Sequence, residues 1–315
     1  QPIWETIAEQ NPDLFLFLGD AIYSDTDGTT AWAVTEKQLQ GEWTRLADKP
    51  EFQRLRSQVP IMATWDNHDY GTHNGGAEFE LKETTKRIFI YFFAEPVDSV
   101  RRKRAGLYDA KVFGAAGNRV QVILLDTRTF RGAFKSDSRD KEQRAKIGKV
   151  GKYIPHDDPS VPFLGEQQWQ WLESELRKPA DLRLVCSSTQ VIPNTKGMDE
   201  WGCYPHARKR LFELIDQTKA SGVILLSGNV HFAEISRTDA PAYPLLEFTS
   251  SGMTHIDLEY ARADNPSRLA GPMADLNFGF VEIDWSAEPA PRVLLKAIGL
   301  DGKVEFDHSV SLDRL

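Results

Sequence analysis

Cysteine is scarce in this chain: Cys186 and Cys203 are the two among 315 residues. Two cysteines make no disulfide framework, and they say little about compartment. Cys186 sits in an apolar run and reads as a buried thiol, whereas Cys203 lies in a polar loop beside Trp201. Long apolar runs are missing as well. No stretch approaches the ~20 residues that span a bilayer, so no transmembrane segment is expected. No signal peptide is visible at Gln1. A positive excess is absent too, since the formal net charge is −8. That argues against duplex nucleic acid as a partner, because neutralising its phosphates needs a basic face. A small phosphate ester is still allowed, since bound cations reverse the local potential. No Gly-x-Ser-x-Gly elbow occurs, and Ser250-Ser251-Gly252 does not supply one, which disfavours a serine hydrolase. Repeats, heptads and low-complexity segments are likewise missing.

What is present is an ordinary composition, 41% hydrophobic and 27% charged, able to bury a sizeable core. Within it, five short apolar runs each end in polar residues. Leu14–Leu18 leads to Gly19-Asp20 and Tyr23, and Ile61–Ala63 leads to Asp66-Asn67-His68-Asp69. Val120–Leu125 ends at Asp126-Thr127-Arg128, Leu182–Cys186 at Ser187-Ser188-Thr189-Gln190, and Val223–Leu226 at Gly228-Asn229-Val230-His231. Continuous apolar runs of this length read as strands buried on both faces. In sheets of such strands, chemistry gathers at the carboxyl ends. Five ends delivering Asp, Tyr, Asn, His and Arg to one edge form the pattern of a metal-dependent hydrolase.

Between the runs the periodicity is helical: residues 1–10, residues 36–56 with a break near Pro50, residues 82–94, a helix opened by Gly165, and residues 206–220. Residues 131–162 read as a long irregular insertion, of the kind that forms lids. The basic run Arg101–Arg104 reads as a solvated loop, or alternatively as a steering patch. After His231 the pattern turns to strands: Leu245–Thr249, Phe278–Asp284, Val293–Ile298 and Val304–Leu312, with Asp301-Gly302 as a hairpin signal. No linker separates two domains. The expectation is one α/β domain of layered sandwich type over 1–315, with a mostly β C-terminal part.

Asp20 either bridges two cations, one on each oxygen, or caps a following helix. Tyr23 is placed to offer a phenolate to a hard trivalent metal. In the second run, Asn67 offers a neutral oxygen to a cation, and His68 has the pKa to protonate a leaving alkoxide. Asp66 or Asp69 would fix the His68 tautomer. A polar turn rich in Asx residues is the plain alternative. Asn229 and His231 alternate, so in an extended segment both point to one side, as two metal ligands would; a turn Asn beside a satisfied His is the alternative. Arg128 either grips a phosphoryl oxygen or makes a structural salt bridge. Gln190 and Trp201 are candidate substrate contacts, and Asn74, with His73, is a candidate rim residue; packing and capping explain them about as well.

Six segments, NPDLFLFLGDAIYSD, PIMATWDNHDYG, LLDTRTFR, LGEQQWQWLESEL, DEWGCYPHARKRL and LLSGNVH, cover most of residues 2–231 in order. In them the chain resembles the calcineurin-like metallophosphoesterases, and within these the alkaline phosphatase D (PhoD-like) group. The resemblance implies a four-layer αββα sandwich, a bridging Asp20, metal-binding Tyr23, Asn67 and His231, and a His68 that meets the substrate. It implies Ca2+ and Fe3+ as metals and a periplasmic or secreted location. Two departures stand out. The family has an aspartate two residues before the last histidine, where this chain has Asn229. The family also begins with a strand that ends in a cysteine ligand, upstream of Pro2-Ile3-Trp4. Neither Cys186 nor Cys203 occupies the matching place, so either the sequence is truncated or the site is built without that strand, leaving a sheet edge exposed.

The function expected is metal-dependent hydrolysis of phosphate mono- or diesters by metal-activated water or hydroxide, with His68 assisting the leaving group. The substrate is expected to be a small molecule. The alternative is a catalytically weak relative that binds phosphorylated ligands or polyanions.

Overall fold

The computed structural model describes residues 3–25, 34–241 and 243–315. The order begins α1 (Ile3–Glu9), β1 (Phe15–Phe17), α2 (Glu36–Ala47), α3 (Pro50–Gln58), β2 (Ile61–Ala63), α4 (Asn67–Tyr70), α5 (Lys82–Phe92), β3 (Asp109–Phe113) and β4 (Val120–Leu124). The insertion follows, with β5 (Lys135–Ser136), α6 (Lys141–Ala145) and β6 (Tyr153–Ile154). Next come α7 (Glu166–Leu176), β7 (Leu182–Cys186), α8 (Pro205–Thr218), β8 (Val223–Ser227), β9 (Ala233–Thr238), β10 (Leu245–Ser250), α9 (Leu258–Ala261) and β11 (Arg268–Met273). A meander of β12 (Asn277–Asp284), β13 (Arg292–Gly299) and β14 (Val304–Ser311) completes the order.

The large sheet has seven strands in the order β11-β9-β10-β8-β7-β4-β3. Its inner strands β10, β8, β7 and β4 are mutually parallel, while β3, β9 and β11 run antiparallel to their neighbours. Every residue of β7 and β8 is buried, as their mostly apolar runs demand, and the one charged residue among them, Arg183, donates to Ala180 O, Ser221 O and Lys178 O. On one face, Trp169 and Leu172 of α7 and Leu211 and Ile215 of α8 cover the sheet. On the other, Leu184, Leu226 and Phe248 meet Val293 and Leu295 of the meander. The parallel pair β1–β2 carries its own layer of helices, in which Trp4, Trp43, Phe52 and Phe89 pack on Phe15 and Phe17. A cavity of about 670 Å3 runs along β1, lined by Leu14, Leu16, Leu18, Phe248 and Phe280, and reaches Asp20 at one end. Among the described residues, no helix is long and apolar enough to cross a membrane.

Local signals explain most boundaries. Thr35 and Gln38 form a capping box at the start of α2, with Thr35 Oγ1 accepting from Gln38 N at 3.2 Å. Pro50 ends that helical run and opens α3 from its first position. Five strands have no counterpart in the expected set: β5 and β6 within the insertion, and β3, β9 and β11. β3 is a half-exposed edge strand, and β11 carries Pro272, which belongs at an edge. β9 hides its strand character behind buried Glu234 and Ser236, which bond to Lys196, Arg268 and Asn265.

Other expectations need correction. The 131–162 segment is not irregular throughout, since β5 and β6 pair across it. Arg101 is no solvated loop residue: it is buried, paired with Glu95 at 3.1 Å, and donates to Leu107 O and Ala63 O. Cys203, like Cys186, is a buried free thiol.

Candidate functional site

The site is built on the joint between the loop after β1 and the turn after β2. Gly19 has φ +117°, and a Cβ there would lie 2.4 Å from Asp66 Cβ, so only glycine lets the two segments touch. Asp20 follows with φ +52°, a left-handed conformation that Asp tolerates better than most residues. Four hydrogen bonds then stitch the loop to α4. Ile22 N donates to Asp69 Oδ1 at 3.0 Å, His68 N to Asp20 Oδ1 at 3.2 Å, Ser24 Oγ to His68 O at 2.7 Å, and His68 Nδ1 meets Asp25 Oδ1 at 2.5 Å.

Asp20, His68 and His231 come together, each offering one ligand atom within 4.8 Å of the others. Tyr23 joins them, its hydroxyl 3.1 Å from His231 Nε2 and its ring 4.3 Å from that of His68. Asp20 Oδ2 is buried and has no hydrogen-bond partner. Burial first, and then the charge of Asp66, push the Asp20 pKa well above the usual carboxylate range. An unpaired buried carboxylate is costly unless a cation takes it up, so this donor set fits a metal ion. His231 points the same way. Burial, then the neighbouring His255 and His68, hold its pKa down at about 4, which keeps the imidazole neutral and able to ligate. For His68, burial lowers the pKa, but the Asp25 hydrogen bond and the charges of Asp20, Asp25 and Asp66 outweigh it, and the value settles at about 9.

The structure corrects the assignment of the histidine's partner. Neither Asp66 nor Asp69 holds His68; Asp25 does. Asp69 instead accepts from Ile22 N and Asp66 N. Asp66 Oδ1 accepts from Arg128 Nε at 2.7 Å and from Ser188 Oγ at 2.6 Å. Arg128 is fully buried, and its Nη1 lies 2.7 Å from Asp199 Oδ2. Of the two alternatives for Arg128, the structure places the side chain in a buried ion-pair network rather than facing open space. Asn67 sits in the same turn, its Oδ1 3.4 Å from Arg128 Nη2.

The other candidates divide. Asn229 and His231 are not in an extended segment, since both have positive φ, +70° and +60°, beyond the end of β8. They flank a tight turn, and Asn229 Nδ2 donates to Asp199 O at 3.1 Å. Gln190 lies in the core and donates to Glu234 Oε1 and Thr249 Oγ1. Trp201 is fully buried against Phe163 and donates to Ser187 Oγ. Neither reaches the Asp20 cluster as a substrate contact would. Asn74 follows His73, whose ring is 6.2 Å from that of His68, and its Nδ2 donates to Tyr153 OH of the insertion at 2.6 Å.

Two residues at the site carry no expectation from the sequence. Asp25 had a readable signal, a carboxylate that closes the same loop that Asp20 opens. His255 follows β10, whose carboxyl end lies on the same edge as those of β4, β7 and β8 because all four strands are parallel. Its ring is 4.1 Å from that of Tyr23 and 5.6 Å from that of His231.

A family model described as PhoD-like phosphatase matches residues 1–288. Alkaline phosphatase D of Bacillus subtilis (strain 168) is 21% identical over 261 residues, covering 72% of this chain and 42% of that protein. The chain therefore spans about two-fifths of that relative. Among solved structures, one titled "Structure of PhoD" superposes with a TM-score of 0.68 at 16% identity, over 98% of this chain and 65% of that one. A second, "GAP50 the anchor in the inner membrane complex of Plasmodium", gives 0.56 at 11% identity, over 99% and 82%. At such identities the structural matches speak for the fold alone. The family model spans most of the chain, strand ends included, and on that ground the chain belongs to the PhoD-like phosphatases.

Proposed function

We propose that the chain folds as one domain, a four-layer αββα sandwich, and hydrolyses phosphate esters with the help of bound metal ions. The observation that carries this reading is the buried, unpartnered Asp20 Oδ2 set among His68 and His231. Asp20, Tyr23, Asn67, Asn229 and His231 would hold the metal. Their donors are oxygen and imidazole nitrogen without thiolate, a set that suits hard or borderline cations, and the resemblance adds calcium and iron as identities. These residues would place a bound cation where it could polarise a phosphoryl oxygen and lower the pKa of a water.

The chain's own residues supply the rest. Asp25 orients His68 through Nδ1, which leaves Nε2 to protonate the departing alkoxide. Arg128 fixes Asp66 and Asp199 behind the α4 turn, and so positions Asn67 and His68. Asn74 and the insertion border the entry side, which suits a small-molecule ester, and an exported location is carried over from the resemblance. The test of this mechanism is a series of aryl phosphates with leaving groups of rising pKa. His68→Ala should slow the poorest leaving groups most, by about a hundredfold or more. Equal losses across the series would remove His68 as the acid.

A further inference from the structure

We propose that His255 is a substrate-contacting residue of this site, donating a hydrogen bond from Nε2 to an oxygen of the bound phosphate ester. The inference rests on the hydrolase reading above and extends it to a residue with no role in it. His255 is exposed as a residue, and its ring packs on Tyr23 at 4.1 Å, the same ring that His68 meets at 4.3 Å. His231 is on the same side, its ring inclined by 29° to that of His255. Whatever sits among Asp20, His68 and His231 is therefore within reach of His255.

The ring is also held in place. Its Nδ1 is 3.0 Å from Thr254 Oγ1, which leaves Nε2 as the nitrogen for a ligand. Asp257 N donates to His231 O at 3.0 Å, which ties the His255 loop directly to the metal-binding turn. At the other end of the loop, Asn277 N donates to Gly252 O at 3.0 Å, and Asn277 Oδ1 accepts from Ser250 Oγ at 3.2 Å. A Cβ on Gly252 would meet Asn277 Nδ2 at 2.0 Å, so the loop closes down on this asparagine. An exposed residue whose loop is anchored on both sides and whose ring packs on Tyr23 is pre-organised for contact with a substrate.

His255→Phe separates contact from packing, because it keeps a ring against Tyr23 and removes Nε2. His255→Ala removes both. In the metal-loaded full chain, both variants should raise KM for an aryl phosphodiester by about tenfold or more with kcat little changed, the mark of lost ground-state and transition-state binding alike. Both should weaken binding of inorganic phosphate by a similar factor in calorimetry, with bound metal per chain unchanged. His255→Phe at wild-type KM and wild-type phosphate affinity would overturn the proposal and leave the ring as packing. Loss of metal in His255→Phe would overturn it in favour of a ligand role. If the wild type binds phosphate but hydrolyses nothing, the hydrolase reading fails and the phosphate affinities still decide His255. If it neither binds nor hydrolyses, both fall.

Discussion

At the scale of single residues, the site is a set of carboxylates held where they are costly. Asp20 and Asp66 are both pushed toward protonation by burial, and each has one oxygen without a partner. His68 is the counterweight. Its pKa lies at about 9, above its ordinary value of 6.5, so it favours the folded, metal-free protein most fully below pH 6.5, and that contribution is lost as the pH rises through about 9. Asp25→Asn removes the hydrogen bond that does most to raise it. In chelator-treated protein, wild type should therefore be more stable than Asp25→Asn at pH 6, with the gap closing by pH 10. Denaturant unfolding at the two pH values reads this directly, and a gap that stays constant with pH would mean that Asp25 does not hold the His68 proton.

At the scale of elements, the α4 turn that carries Asn67 and His68 is braced from behind. The Arg128 guanidinium bonds Asp66 and Asp199 and so joins the ends of β2 and β4 to the loop after β7. Removing one partner of such a buried network costs about 3–5 kcal/mol, because it leaves charges uncompensated. Arg128→Met should destabilise the protein by that amount, measured as a lower denaturant midpoint, and should lower kcat through the displaced α4 turn. A variant with unaltered stability would contradict the network. This bracing explains what was legible in the sequence. The strand ends announced themselves as apolar runs closing on polar residues, and the run at Asp66-Asn67-His68-Asp69 did so most clearly. The sorting of those polar residues into ligand, orienter and brace depends on tertiary contacts, so the short range of the motif assigned His68 to Asp66 or Asp69 when the partner is Asp25. Gln190 and Trp201 follow the right strand and turn into the core instead. β10 was legible as a strand, but its parallel pairing with β8, which carries His255 to the shared edge, has no local signal.

For the whole molecule, the balance of charge and fold sets the behaviour. The chain carries a net charge of −8, and several of its buried carboxylates meet at one sheet edge. Metal binding should therefore stabilise the native state, by about 2.7 kcal/mol when the free ion is at a hundredfold excess over its Kd. Adding metal to chelated protein should raise the melting temperature by several degrees, and Asp20→Asn should abolish the rise. An equal rise in that variant would place the ions elsewhere. The mixed α/β succession of elements was readable in advance because helical and strand periods alternate to His231 and strands dominate afterwards. The polar strands β3, β9 and β11 were not, since edge position and buried ion pairs replace the apolar signal.

Metal-dependent phosphoester hydrolysis is put to the clearest test by turnover of an activated aryl phosphodiester and the matching monoester, with chelator and then with calcium and iron restored. Turnover that chelation abolishes and metal restores is expected in the wild type, and none that any metal restores in Asp20→Asn. Turnover that survives chelation, or an Asp20→Asn variant as active as the wild type, would contradict it.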